Sequence, residues 1–119
     1  MARLLLLHDG LPVRSYTLRE PGVTIGRGPD SDIALDDSAV SASHAVIRVE
    51  TDPYLEGRQV ATLEDLNSTN GTLVNGQAVQ CRVLRQGDRV RIGRQELSYE
   101  TDDEGVLERT TIYLPDEPR

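Results

Sequence analysis

Short apolar runs broken by turn-forming residues dominate the chain, with a break about every eight to twelve positions. This spacing is typical of a β-sandwich or β-barrel, and no stretch shows the 3.6-residue period of an amphipathic helix. The pattern predicts about ten strands and no helix of consequence. The runs lie at 4–7, 13–18, 23–25, 33–35, 45–50, 60–64, 73–74, 78–79, 89–92 and 95–100.

The turn residues between these runs support a strand interpretation. Asn75-Gly76 separates two short apolar runs, and this dipeptide favours a hairpin because both central residues of the turn need a positive φ. Residues 51–58 are predicted to join two longer strands, and Gly93-Arg94 is predicted to turn the chain into the last strand.

The composition predicts a small aliphatic core followed by a polar tail. The 119 residues are enough for one domain, and with four Tyr but no Phe or Trp its core must consist mainly of Leu, Val and Ile. From about residue 102 the sequence is acidic, contains Pro115 and Pro118, and has one brief apolar patch. We therefore expect one domain at residues 1–101 and an acidic tail or linker at 102–119.

The charge excludes some classes of function. The net charge is −7, from 20 acidic and 13 basic residues, and this acidity with few aromatic residues argues against nucleic-acid binding. All basic residues are Arg, so Schiff-base chemistry and a P-loop lysine are excluded. The guanidinium group, which pairs well with phosphate and carboxylate, is the cation that the chain offers.

The sequence favours a cytoplasmic protein that does not bind a membrane. Cys81 is the sole cysteine, so no intrachain disulfide can form. The leucine run at 4–7 is too short for a signal peptide, and no apolar segment is long enough to span a bilayer.

Three polar loops offer candidate binding groups, at residues 26–32, 38–44 and 67–72. Function on a sandwich gathers in its loops, because the strands are committed to the core. Together these loops contain one guanidinium, several hydroxyls and several amides. Such groups can hold a tetrahedral oxyanion without a metal or a nucleophile.

Metal binding and catalysis have weaker support. Four acidic residues could suggest a calcium loop: Asp30, Asp32, Asp36 and Asp37. An EF-hand starting at the first of them would need Gly and Glu where the chain has Leu35 and Ser41. His8 and His44 suggest no Ser–His–acid arrangement. We expect no metal, no cofactor and no enzymatic activity.

The order of these motifs resembles the forkhead-associated (FHA) domain family. The likeness covers roughly residues 3–100 and consists of Gly26-Arg27, Ser41-x-x-His44, Asn67-Ser68-Thr69-Asn70-Gly71-Thr72, Asn75-Gly76, Gly87-Asp88 and Val90-x-Ile92-Gly93. The resemblance implies an all-β, two-sheet sandwich of about eleven strands. It also implies that loops at one end bind phosphothreonine in an extended peptide, as in an adaptor in Ser/Thr kinase signalling.

The resemblance also implies a role for each matched residue. Arg27 and Ser41 would contact the phosphate, Thr69 would contribute through its hydroxyl or backbone, and Asn70 would hydrogen bond to the ligand main chain. Gly26 would let the loop turn after its strand. The other residues that would support the loops are His44, Gly71 and Asn75.

One position departs from the family pattern. Many members carry Arg, Lys or Asn directly after the matched serine, where this chain has Ala42. We therefore expect micromolar binding that depends strongly on Arg27 and Thr69.

Two alternative functions and one regulatory hypothesis remain. The domain could be a phosphate-independent interaction scaffold, or an enzyme such as a phosphatase, although no nucleophile–base pair supports the latter. The expected partner is a phosphothreonine-containing protein, such as a substrate of a Ser/Thr kinase. Thr110 and Thr111 could themselves be kinase targets, and the phosphorylated tail could bind its own domain or a neighbour's.

Overall fold

The computed structural model describes residues 2–52, 54 and 58–101, which form strands, turns and loops without any helix. This part of the chain therefore has no helical segment that could cross a bilayer. The eleven strands confirm the predicted all-β fold. They are β1 (Ala2–His8), β2 (Leu11–Thr17), β3 (Gly22–Gly26), β4 (Ile33–Ala34), β5 (Ala45–Asp52), β6 (Arg58–Asp65), β7 (Thr72–Val74), β8 (Gln77–Ala78), β9 (Cys81–Val83), β10 (Arg89–Ile92) and β11 (Gln95–Thr101).

The strands form the two sheets of a sandwich. One sheet has the order β2-β1-β11-β10-β7-β8 and the other the order β4-β3-β5-β6-β9. Neighbouring strands are antiparallel except β3 and β4, which run parallel. The hydrophobic core between the sheets is largely aliphatic, as the composition predicts, and includes Tyr99.

Strand β5 shows how alternating side chains along a strand produce the buried core. Ala45, Ile47 and Val49 are buried between the sheets, because successive side chains of a strand point to opposite faces. Arg48, on the outer face, pairs with Glu64 of the neighbouring β6, with 2.9 Å between guanidinium nitrogen and carboxylate oxygen. This register, once set by the buried residues, determines which side chains face solvent.

The apolar pattern alone missed β9. This strand has only three residues, pairs with β6, and exposes Cys81 and Val83. A short edge strand with two exposed side chains has no alternation for a sequence pattern to detect. The structure also shifts some boundaries: Leu11 and Pro12, which precede the predicted run at 13–18, belong to β2. The proposed tail, 102–119, lies outside the described residues.

Candidate functional site

The loops after β3 and before β5 lie side by side at one end of the sandwich. The backbone N–H of Arg27 donates to the Ser41 carbonyl at 3.0 Å, and that of Gly28 donates to the Ala42 carbonyl at 3.4 Å. These two bonds place the Arg27 and Ser41 backbones next to each other, although the residues are distant in sequence.

Gly26 is required by this close approach of the two loops. It is buried and does not adopt a positive φ. A Cβ atom at this position would overlap the Ala42 carbonyl oxygen and lie 2.8 Å from Ser31 Oγ. The geometry thus gives Gly26 a steric role, because only a hydrogen fits between the loops. That Gly26 also lets the loop turn after its strand stays a prediction.

The third loop joins the site through Ser41. Its Oγ accepts a hydrogen bond from the backbone N–H of Thr69 at 3.0 Å. The Ser41 hydroxyl proton can still donate to a ligand, because a hydroxyl is both donor and acceptor. The N–H of Thr69 is engaged in this bond, so its hydroxyl is the better placed of its two groups for a ligand.

The Arg27 guanidinium is exposed and loosely held. Its Nη1 donates to the Ser38 carbonyl at 3.4 Å, which is long for an N–H···O bond. A guanidinium has five N–H donors, so most of its donor capacity remains open to an anion. Arg27 can therefore turn towards a ligand at little cost.

Asn70 is oriented by the loop that contains Ser41. Its Nδ2 donates to the Ala39 carbonyl at 2.9 Å, and a carbonyl can only accept, so the assignment of the amide follows from its partner. The exposed Oδ1 and the second N–H of this amide are the groups with which Asn70 could bind a peptide main chain.

His44 is completely buried and supports the loops from below. Its Nδ1 accepts a hydrogen bond from the Ser41 backbone N–H at 3.0 Å, and its Nε2 lies 2.9 Å from the Gly71 carbonyl oxygen. Because the Gly71 carbonyl can only accept a hydrogen bond, Nε2 must carry the proton and Nδ1 must be unprotonated. His44 thus links two loops as a neutral imidazole with a defined tautomer.

Asp65 organises the third loop, and sequence reasoning missed it. This buried carboxylate accepts bonds from the Ser68 N–H, the Ser68 hydroxyl at 2.6 Å and the Thr72 hydroxyl at 2.7 Å. Burial acts to raise the pKa of Asp65, but the bonds from Ser68 and Thr72 outweigh it and lower the pKa below the ordinary value. The spacing of Asp65 and Ser68, typical of a local side-chain turn, was the available signal.

Gly71 completes this loop. Its φ is +83°, and its N–H donates to Ser68 Oγ at 2.9 Å. A positive φ is readily adopted by glycine and rarely by other residues, so the geometry supports a conformational role.

Asp37 fixes the loop that precedes Ser41, and it was also missed as a structural residue. Its carboxylate accepts bonds from the Ala39 N–H at 2.8 Å and the Arg94 N–H at 2.9 Å, and from Gln95 Nε2 at 3.2 Å. The bonds from Ala39 and Arg94, followed by that from Gln95, lower the pKa of Asp37. The bond from Ala39 is a local side-chain turn that the sequence could have suggested, whereas the bond from Arg94, 57 residues away, has no local signal.

The structure brings together Arg27, Ser41, Thr69 and Asn70, but it places Asn75 elsewhere. Asn75 lies at the end of β7 opposite the 66–71 loop, where its side chain bonds to Asp88 at 3.0 Å and to the Arg89 N–H at 2.9 Å. Its support for the site is therefore at most indirect. The candidate phosphorylation sites, Thr110 and Thr111, lie outside the described residues.

The comparison with known families identifies the domain. The model described as "FHA domain" matches residues 23–93, a span that contains all three loops. The chain belongs to the FHA domain family.

Relatives of this FHA domain occur in mycobacterial proteins. It is 46% identical over 93 residues to FHA domain-containing protein FhaA of Mycobacterium tuberculosis, covering 78% of this chain and 16% of FhaA. It is 43% identical over 94 residues to glycogen accumulation regulator GarA of Mycolicibacterium smegmatis, covering 76% of this chain and 55% of GarA. The matched part is thus a small share of FhaA and about half of GarA.

One solved structure is similar to this chain in both fold and sequence. It comes from a structural and functional analysis of phosphothreonine-dependent FHA domain interactions. It superimposes with a TM-score of 0.72 and 42% sequence identity, covering 84% of this chain and 95% of the other. The likeness therefore extends over nearly all of the sandwich.

Proposed function

We propose that this FHA domain is a phosphothreonine-dependent peptide-binding module that acts as an adaptor in Ser/Thr kinase signalling. The observation that carries the proposal is the pre-assembled cluster at the loop end. Ser41 Oγ accepts a hydrogen bond from the Thr69 N–H at 3.0 Å, and the exposed Arg27 lies on the adjacent loop. The Arg27 guanidinium and the hydroxyls of Ser41 and Thr69, three groups suited to a phosphate, are thus carried on adjoining loops.

The chemistry of phosphothreonine suits this cluster. The phosphate carries about −1.5 to −2 charges at pH 7 and offers three strong acceptor oxygens. In the proposal, the Arg27 guanidinium pairs with the phosphate, while the hydroxyls of Ser41 and Thr69 donate to it. Because His44 and Thr69 already hold Ser41 in place, little conformational entropy is lost on binding.

The proposed role of Asn70 is to fix the direction of the peptide. Its side chain is anchored to the Ala39 carbonyl at 2.9 Å, so its free amide groups have a defined orientation. Hydrogen bonds to the ligand main chain would select an extended peptide without selecting its side chains.

The similar proteins support a binding function. The structurally similar domain belongs to a study of phosphothreonine-dependent interactions, and FhaA and GarA contain matching domains. Because the match covers only part of those two proteins, we propose for this chain only the domain's ligand class. Its partner would be a protein phosphorylated on threonine by a Ser/Thr kinase, in the cytoplasm.

We further propose that the domain is not an enzyme. A phosphatase using Ser41 would need a base on its hydroxyl, but the Nδ1 of His44 accepts the Ser41 backbone N–H instead. Within the residues that the structure describes, no three His, Cys, Asp or Glu side chains are grouped to hold a metal. Both observations favour binding over hydrolysis.

The test is calorimetric titration with a peptide selected from an oriented phosphothreonine library and with its unphosphorylated form. We expect micromolar binding of the phosphorylated peptide alone, and a loss of about tenfold or more in Arg27→Ala. Arg3→Ala is the matched control. Arg3 is an exposed arginine of β1 that is aligned with Glu100 in the neighbouring strand β11, near the end of β11 opposite Gln95. Equal affinity for the two peptides would refute the proposal and favour the phosphate-independent scaffold.

A further inference from the structure

A pocket of about 300 Å³ opens beside the proposed phosphate site. Gly28 and Ala42, which directly follow Arg27 and Ser41, form part of its wall. The pocket therefore borders the two loops that carry Arg27 and Ser41. We call it the Ala42 pocket.

Two small residues, Gly28 and Ala42, lie together in the wall of the pocket, where the Gly28 N–H donates to the Ala42 carbonyl at 3.4 Å. A Cβ atom added to Gly28 would lie 3.5 Å from the Ala42 carbonyl oxygen, and Ala42 itself is exposed. With glycine at residue 28 and alanine at residue 42, this part of the wall carries no long side chain.

The chemistry of the lining favours a side chain with an aliphatic stem and a cationic end. The apolar part of the lining comes from Ile25 and Ala45, which are buried, and from Leu66, which is 39% exposed. Asp30 is exposed and contributes the carboxylate. Arginine and lysine cover apolar surface with their methylene groups while the charged end stays in contact with water or an anion.

The position of the pocket indicates which part of a peptide would reach it. Asn70 is anchored to Ala39, on one side of Ser41 along the loop, whereas Ala42 and the pocket lie on the other side. A ligand residue bound in the pocket is therefore expected on the Ala42 side of Ser41, and the main-chain segment held by Asn70 on the Ala39 side.

We propose that the Ala42 pocket is a specificity subsite that takes an arginine or lysine side chain of the bound phosphopeptide. The inference rests on the proposed phosphopeptide binding. A cation in the pocket would sit between the ligand phosphate and the Asp30 carboxylate, and so would offset their mutual repulsion. The domain would then select for a basic residue close to the phosphothreonine.

The experiment uses the full chain and a phosphothreonine peptide with alanine at three positions on each side. Each position is replaced in turn by arginine or by norleucine, whose aliphatic stem has no charge. At one position, on one side of the phosphothreonine, we expect the norleucine peptide to bind about threefold tighter than the alanine peptide. The arginine peptide should bind about threefold tighter than the norleucine peptide. At the other positions the three peptides should bind within about twofold of one another.

Two variants distinguish an effect of the pocket carboxylate from an effect of the protein's overall negative charge. Asp30→Asn should bring arginine and norleucine to within about twofold of each other while the alanine peptide still binds. Asp36→Asn makes the same charge change at an exposed residue that does not line the pocket, and should keep the arginine preference.

The possible failures can be told apart. Phosphate-dependent binding without a preferred position, or an arginine preference that Asp36→Asn reduces as much as Asp30→Asn does, would overturn the subsite and leave the proposed function intact. Binding of the alanine peptide that does not depend on phosphorylation would overturn both.

Discussion

Ser41 Oγ lies 3.0 Å from the backbone nitrogen of Thr69 and accepts its hydrogen bond across two loops. The bond joins the serine motif to the threonine–asparagine motif before any ligand arrives. It also leaves the serine hydroxyl proton and the threonine hydroxyl for a ligand. The candidate site is thus largely pre-organised, which reduces the ordering cost of binding.

Replacing Ser41 with alanine should weaken phosphopeptide binding by about tenfold or more, because a hydrogen bond to a charged group contributes about 1.5–3 kcal/mol. The Thr69 amide should also exchange faster with solvent, since its acceptor is gone. Calorimetry and amide hydrogen exchange would measure the two effects. Ser38→Ala, which leaves the carbonyl that contacts Arg27 in place, should change neither; an unchanged Thr69 amide in Ser41→Ala would contradict the bond.

Replacing His44 with alanine should lower the free energy of unfolding by about 2–4 kcal/mol, measured by urea denaturation. The change leaves a cavity and removes the partners of the Ser41 N–H and the Gly71 carbonyl. His8→Ala is the control: His8 has a side chain that is 79% exposed, so its removal should cost no more than about 0.5 kcal/mol. Equal losses in the two variants would argue against a structural role for His44.

Two neighbouring glycines should respond differently to alanine. Gly26→Ala should destabilise the domain by about 1–3 kcal/mol, because the new Cβ would overlap the Ala42 carbonyl oxygen and push the loops apart. Gly28→Ala should be nearly neutral, since its Cβ would lie 3.5 Å from the same oxygen, an ordinary contact. Thermal denaturation of the pair tests this; a larger loss in Gly28→Ala would contradict the close approach.

Acid should destabilise the domain partly through Asp37 and Asp65. The pKa of each is lowered from 3.8, so each stabilises the fold fully above that value and loses this effect as the pH falls through 3.8 towards the folded-state pKa. We expect the free energy of unfolding to fall below about pH 5, and to fall less in Asp37→Asn and Asp65→Asn. Urea denaturation from neutral to acid pH measures it. An acid dependence identical in all three proteins would contradict the assignment.

Most of the fold could be predicted from the sequence, because strand alternation and turn chemistry are local. Ala45, Ile47 and Val49 mark a buried face whatever the rest of the chain does. The strand that escaped prediction, β9, is three residues long and lies at a sheet edge with Cys81 exposed. Its existence depends on pairing with β6 and not on its own pattern.

The candidate site was predictable as a set of residues, but its working arrangement was not. Family motifs pointed to Arg27, Ser41, Thr69 and Asn70, and the structure places all four on adjoining loops. They gave no hint that the Thr69 N–H is bonded to Ser41, a residue 28 positions away. Such bonds form only when the two sheets pack and bring distant loops to the same end of the sandwich.

The sequence by itself determined the all-β character, the positions of the polar loops and the identity of the groups that could meet a phosphate. Only the tertiary structure decided that Gly26 serves a close approach, that Asp37 and Asp65 brace the loops, and that a pocket opens beside Ala42. The physical reason is the range of the interactions. Strand and turn preferences act over a few neighbouring residues, whereas steric fit and loop-to-loop hydrogen bonds depend on residues that only folding brings together.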